Sequence, residues 1–242
     1  MNLLDVFFPK RCVGCGRVGR YFCYRCKKTI RPIFQNEAIC PVCEKPAIDG
    51  FTHPRCTGRY EVDGLTSFFR YDGVVKKAIK TIKYRFVSDL ASEFVSLIPE
   101  SSISSLSTLL NTTFRSPLLI PIPLHPSRFR FRGFNQAEKL GNVFAEQLHI
   151  SIKTDILRRT RETKPQVEMK YRKDRLHNMD GVFAPGSHFD KTPLKQNFVK
   201  NGTCGGVTVF DDVFTTGATM RAAANMLKRA GIRYVWGVTM AR

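Results

Sequence analysis

The stretch Val207-Thr-Val-Phe-Asp-Asp-Val-Phe-Thr-Thr-Gly-Ala-Thr-Met220 decides the fold. Residues 207–210 form a short apolar, β-branched run suited to a buried strand, and from Gly217 to Ala230 the positions Met220, Ala223, Ala224 and Leu227 share one helical face. A strand therefore runs into a helix. Between them stand two carboxylates and then small and hydroxyl residues, at the carboxyl end of a strand, where open α/β sheets bind ligands. The backbone N–H groups and hydroxyls of residues 215–219, at a helix N-terminus, suit a phosphate. Ionised Asp211 and Asp212 only accept hydrogen bonds, so they suit a pair of sugar hydroxyls and would repel a bare phosphate. The pattern points to a sugar held by hydroxyls on one side and by its phosphate on the other.

Val209-Phe-Asp-Asp-Val-Phe-Thr-Thr-Gly-Ala-Thr219 resembles the phosphoribosyl-pyrophosphate (PRPP) motif of type I phosphoribosyltransferases. The resemblance implies an α/β fold, a parallel sheet flanked by helices. It also implies that Asp211 and Asp212 hold the ribose hydroxyls, that Thr215, Thr216, Gly217, Ala218 and Thr219 bind the 5-phosphate, and that Mg2+ accompanies PRPP.

Upstream, residues 65–71 read as a strand, followed by a helix with Val75, Ala78, Ile79 and Ile82 inward and Lys76, Lys77, Lys80 and Lys83 on a solvated face. Leu90, Phe94, Leu97 and Ile98 mark a second helix. The Ser- and Thr-rich residues 100–116 read as a loop or surface insertion. Residues 118–124 give a core strand containing Pro121 and Pro123. In the transferases the loop after the corresponding strand binds pyrophosphate, frequently through a cis peptide, and here the Ile122–Pro123 bond is the candidate. The run 125–137 alternates Arg128, Arg130 and Arg132 with Phe129 and Phe131. If extended, it shows guanidinium groups on one side and rings on the other, with burial the favoured fate of the rings. Residues 134–149 continue as a helix, 152–157 as a strand, and 234–240 as the last strand. Residues 158–178 are basic and polar, and in the transferases this region supplies a hood over the substrate. Arg128, Arg132, Arg158, Arg159, Arg161, Lys164, Arg172 and Arg175 are candidates to contact pyrophosphate or a nucleic-acid backbone. Residues 184–206 read as loop, with Cys204 an unligated thiol.

Seven of the eight cysteines lie between positions 12 and 56, as Cys12/Cys15, Cys23/Cys26, Cys40/Cys43 and then His53-Pro-Arg-Cys56. Each pair reaches a metal from one tight knuckle, and tetrahedral zinc takes two pairs. Four pairs make two structural Zn2+ sites. Pairing neighbours gives Cys12, Cys15, Cys23 and Cys26 for one ion and Cys40, Cys43, His53 and Cys56 for the other, although crossed pairing uses the same ligands. Little apolar material separates the knuckles, so metal is expected to replace much of a core. Gly14, Gly16 and Gly19 fit a dinucleotide pattern by accident, since they follow no strand. Leu3, Leu4, Phe7 and Phe8 line one face of a candidate short helix.

Pro121-Ile-Pro-Leu-His125 with Arg128, Arg132-Gly-Phe-Asn-Gln-Ala137, and Thr163-Lys-Pro-Gln166 followed by Arg172, Arg175 and Asn178 resemble the ComF family. Its members are competence-associated proteins that join a zinc module to a phosphoribosyltransferase domain. The likeness covers nearly the whole chain and implies a double zinc ribbon over residues 1–60 and a phosphoribosyltransferase-like domain over 61–242. His53 departs from the usual cysteine, and the segments 100–116 and 184–206 are long. The family further implies PRPP as a ligand, single-stranded DNA and competence-machinery proteins as partners, and a part in DNA uptake during natural transformation.

The formal net charge of +19 agrees with a polyanionic partner, and it stays at roughly +16 once seven thiols ionise on two zinc ions. No apolar run reaches the roughly 18 residues of a membrane span, and residues 1–10 lack the pattern of a signal peptide, so a cytoplasmic location is expected. Two further functions stay open on these residues. One is an active phosphoribosyltransferase, passing a pentose from Mg-PRPP to a nucleobase or amine; the other is a PRPP-responsive nucleic-acid-binding regulator.

Overall fold

The computed structural model describes residues 9–84, 88–114, 117–162, 181–187, 189 and 205–242. At its centre lies a five-stranded parallel sheet. In chain order the strands are β1 (Gly64–Phe69), β2 (Leu118–Pro121), β3 (Ser151–Ile152), β6 (Gly206–Val213) and β7 (Tyr234–Ala241), arranged in space as β1-β7-β6-β2-β3. A separate antiparallel pair joins β4 (Leu157–Arg159) to β5 (Phe183–Pro185). The helices are α1 (Gly73–Tyr84), α2 (Ser88–Val95), α3 (Glu100–Thr113), α4 (Pro126–Arg132), α5 (Gln136–Leu148) and α6 (Ala218–Arg229).

Strands buried on both faces need apolar residues on both, and β6 obeys: Val207 and Val209 enter one core while Phe210 enters the other. The first core packs α1, α2, α3 and α5 on one face, centred on Phe68, Phe94, Phe144 and Phe210. The second packs α6 and the β4–β5 pair on the opposite face. β2 leads through α4 and α5 to β3 on one side, whereas β6 leads through α6 to β7 on the other. The strand order therefore reverses between β2 and β6, which lie side by side with Ile120 opposite Val209 and Pro121 opposite Phe210. In such sheets the crevice beyond the carboxyl ends at this reversal is where ligands bind.

Several expectations change. Residues 100–113 are helix, not loop: Leu106 and Leu110, one turn apart, are buried, and that packing outweighs the weak helix propensity of the serines and threonines. The run after β2 is helical rather than extended. His125 caps it by accepting from the Ser127 N–H, Pro126 occupies its first position, and Gly133 ends it at φ 80°. The winding leaves Phe129 and Phe131 47% and 86% exposed, against the expected burial. Ile122–Pro123 is trans, as is every described peptide bond. The strand expected over 152–157 is two short ones in different sheets, and the loop expected from 184 begins inside β5. The expected helix near Leu3, the residues Lys164, Arg172, Arg175 and Asn178, and Cys204 lie outside the described residues. No helix of the described residues is long and apolar enough to cross a membrane.

Nor does the cysteine-rich segment stand alone. Phe22, with no exposed surface, stacks on Phe94 of α2 at 5.8 Å between ring centres, a burial worth roughly 1.5–3 kcal/mol. The main-chain N–H groups of Tyr21 and Phe22 donate to Glu93, and Ile33 N–H donates to the Phe68 carbonyl on the edge strand β1. Metal thus supplements a core that the segment shares with the sheet.

Candidate functional site

The two cysteine clusters assemble from neighbouring pairs. Cys12, Cys15, Cys23 and Cys26 form one, and Cys40, Cys43, His53 and Cys56 the other; within each, the ligand atoms lie within 4.8 Å of one another. Zinc–sulfur bonds of about 2.3 Å place tetrahedral ligand atoms roughly 3.8 Å apart. Cys15 Sγ to Cys23 Sγ is 3.6 Å and Cys43 Sγ to His53 Nδ1 is 3.3 Å, so a zinc ion fits both. The crossed arrangement is thereby set aside. His53 Nε2 lies 2.9 Å from the Pro46 carbonyl. Donation there fixes the tautomer and leaves Nδ1 free to ligate. The electrostatics also call for a cation. Burial works to raise the Cys12 thiol, but N–H groups of Cys23, Cys15 and Gly14 outweigh it and hold it at about 6. Burial and neighbouring thiolates push Cys26 up to about 12 and Cys56 up to about 11. Some sulfurs are poised as anions, and the rest await a positive charge before they can follow.

At the carboxyl end of β6 stand Asp211 and Asp212. The Asp212 N–H donates to Asp211 Oδ1 at 2.8 Å, which fixes the Asp211 side chain against the main chain. Asp212, 6% exposed in its side chain, faces the ammonium of Lys83 at 2.8 Å, reached from the end of α1. Burial acts to lower the Lys83 pKa, yet Asp212 and Asp211 more than offset it and hold it above the ordinary value. Asp211 is pushed up to about 8, first by burial and then by the Asp212 carboxylate, with the Asp212 N–H and Lys83 opposing. Lys83 does not lie on the solvated face expected for it but reaches the acid pair. Its signal was weak: it stands four residues after the buried Ile79, at the border of the apolar stripe.

Residues 214–217 then turn into α6. Thr216 is 7% exposed, and its hydroxyl oxygen has no hydrogen-bond partner among the described residues. A buried orphan of this kind at a helix start is what a bound phosphate oxygen would satisfy. Gly217 takes φ 70° at the helix N-cap. The hollow at the loop holds only about 20 Å³. A larger hollow of about 330 Å³, where residues 33–39 meet β1 and α3, contains neither the acids nor the loop.

Cations converge from the other side of the crevice. Arg132, on α4, is half-buried and feels Asp212; burial lowers its pKa while Asp212 opposes. Strand alternation in β4 turns Arg158 outward and Arg159 inward, 7% exposed. Burial and then Arg128 lower Arg159 to about 10, against the attraction of Asp211 and Glu162. Arg128, Arg132 and Arg159 thus share one field with the acid pair, whereas Arg158 and Arg161 are exposed. Three hydrogen bonds hold this wall in place. Ser127 Oγ donates to Glu162 at 2.7 Å, and the buried Asn135 donates to the Ile122 carbonyl at 2.9 Å while capping α5 through Ala137 N–H.

Comparison with known proteins agrees with both halves of the molecule. The double zinc ribbon domain family matches residues 3–57. "Competence protein F" of Haemophilus influenzae is 30% identical over 125 residues, 51% of this chain and 50% of the relative, so that match spans only about half of either. "Competence protein ComFC" of Bacillus subtilis is 26% identical over 229 residues, 86% of this chain and 78% of the relative. "DNA utilization protein YhgH" of Salmonella typhimurium is 26% identical over 217 residues, 85% of each. A double zinc ribbon docked on a parallel α/β sheet, together with competence and DNA utilization proteins similar over much of the chain, supports the likeness to the ComF family.

Proposed function

We propose that the chain grips PRPP at the β2/β6 reversal and handles single-stranded DNA during DNA uptake. Here residues 1–60 act as a zinc-stapled module and 61–242 as a phosphoribosyltransferase-like domain. The observation that carries the reading is the acid pair beside the Thr216 loop. Asp211 and Asp212 offer acceptors to ribose hydroxyls, the orphaned Thr216 hydroxyl and the amides of 215–219 suit the 5-phosphate, and Arg128, Arg132 and Arg159 suit the pyrophosphate. Lys83 holds the Asp212 carboxylate in place at 2.8 Å. Mg2+, arriving with PRPP, would neutralise pyrophosphate charge beside the acids. Phe129 and Phe131, exposed on different faces of the short helix α4, and the exposed Arg130 suit stacking bases and holding a phosphate of a single strand that wraps it. The names of the relatives, competence and DNA utilization proteins, support the cellular role. The experiment is calorimetric titration with PRPP-Mg, alongside binding of a single-stranded oligonucleotide at several salt concentrations. Micromolar PRPP binding and an affinity for DNA that falls steeply with salt are expected. Absence of PRPP binding would remove the reading.

One observation favours turnover as a second reading. Arg132 and Arg159, in the field of the acid pair, put fixed positive charge where a departing pyrophosphate would need it. Pyrophosphate release with a panel of nucleobases and amines tests it.

A further inference from the structure

The two metal clusters do not touch the same parts of the sheet domain. The first lies against α1 and α2: a Cβ on Gly14 would meet Cys26 and Val74, and Lys77 donates to the Gly14 carbonyl at 2.7 Å. The second lies against the phosphate loop. Its knuckle runs Cys40-Pro41-Val42-Cys43, with Glu44 N–H donating to the Cys40 carbonyl at 2.8 Å. Ile39, just before it, packs on the core that contains Ala218 and Met220 of α6. A Cβ built on Gly217 would lie 3.0 Å from the Pro41 carbonyl and 2.7 Å from the Phe214 ring. The ribbon's main chain and the Phe214 ring of its own loop thus both crowd the side of Gly217 where a Cβ would stand.

We infer that the Cys40, Cys43, His53 and Cys56 cluster is a positioning element for the phosphate loop, acting through the Pro41 main chain on Gly217. A tetrahedral metal fixes Cys40 and Cys43, and Pro41 between them has little freedom left. The Pro41 carbonyl is then a wall that holds Gly217 at its positive φ and keeps residues 214–217 in one conformation. Without the ion the knuckle relaxes, the wall retreats, and the loop gains the freedom that binding must remove. The first cluster sits on the α1–α2 side instead. This inference rests on the loop being the phosphate site proposed above.

Cadmium-113 in place of zinc gives the two clusters separate resonances, because one has four sulfur ligands and the other three sulfurs and an imidazole. Adding PRPP-Mg to the otherwise native chain should move the resonance of the imidazole-containing site and leave that of the all-sulfur site in place. Equal movement of both, or of neither while PRPP binds, would overturn the inference. Independently, His53→Ala should release one metal ion and speed amide hydrogen exchange in residues 214–219 by about tenfold or more, and His53→Cys should restore both. Loss of the ion with unchanged exchange in that loop would also overturn it. If the native chain binds no PRPP, the ligand assignment fails, and the exchange comparison still decides whether the cluster positions the loop.

Discussion

Replacing Lys83 by Met tests the electrostatics of the site without touching a residue that would contact the sugar. The methionine keeps the aliphatic stem and removes the ammonium 2.8 Å from Asp212. Severing one half of a fully buried pair costs about 3–5 kcal/mol. The side chain of Lys83 is 26% exposed while that of Asp212 is 6% exposed, so water recovers part of this and about 2–3 kcal/mol is expected at pH 8.5. Such a loss is on the order of a hundredfold in the unfolding equilibrium. The pH dependence carries the sharper test. Asp211, raised to about 8 from 3.8, contributes stability that is fully present below about pH 4 and is lost as pH rises through 8. Lys83 is one of the groups holding that pKa down, so its removal moves Asp211 higher still. At pH 6 the proton already on Asp211 relieves the carboxylate repulsion, and the loss should shrink to about 1 kcal/mol. Urea unfolding followed by the fluorescence of buried Trp236, with zinc and reductant held constant, measures both values. Equal losses at pH 6 and pH 8.5, or none at pH 8.5, would refute the pairing of Lys83 with the acids.

Asp211→Asn combined with Asp212→Asn should weaken PRPP-Mg binding by about 100-fold or more in calorimetry, while the zinc released by a thiol reagent stays at two per chain. Gly217→Ala meets both a positive φ and the close Phe214 ring; a loss of about 1–3 kcal/mol in urea unfolding is expected, and a neutral result would show that the loop can move aside. Gly64→Ala would bring a Cβ within 2.1 Å of the Trp236 ring across β1 and β7, costing about 1–3 kcal/mol and shifting the tryptophan emission. Phe129→Ala with Phe131→Ala should weaken single-stranded DNA binding by about tenfold with the salt slope unchanged. Arg128→Ala with Arg130→Ala should instead flatten the slope of log affinity against log salt by about 1 to 2.

The parts that sequence made plain are those whose logic is local. A strand ending in two acids, a small-residue turn and an amphipathic helix occupy consecutive positions, so β6, its loop and α6 were all readable. Each cysteine knuckle is equally self-contained. What escaped was set by packing between distant residues. Alternation of Arg and Phe over 128–132 fits an extended chain on side-chain period alone, but the cap at His125, Pro126 and the stop at Gly133 specify one short helix. Residues 100–113 look like a loop until Leu106 and Leu110 find the core. The partition of the metal ligands needs the spatial arrangement of four knuckles, which no spacing fixes.

Lys83 shows most clearly why the site exceeds its motif. An Asp-Asp pair at the end of a strand is repulsive by itself, and the Asp211 carboxyl is raised to about 8 first by burial and then by that repulsion. Something must supply positive charge before a sugar arrives, and the neighbouring turn supplies only hydroxyls and small residues. The cation comes from α1, more than a hundred residues earlier, and α1 is held at its other end by the first metal knuckle through Val74 and Lys77. The loop on the far side of the acids abuts the second knuckle at Pro41. The cysteine-rich segment therefore touches the proposed sugar site from both faces of the sheet, through α1 and its cation on one and the proposed phosphate loop on the other. An amino-terminal deletion that removed it would take away the Phe22 packing and both contacts together, and the remaining sheet should fail to bind PRPP even with every motif residue present.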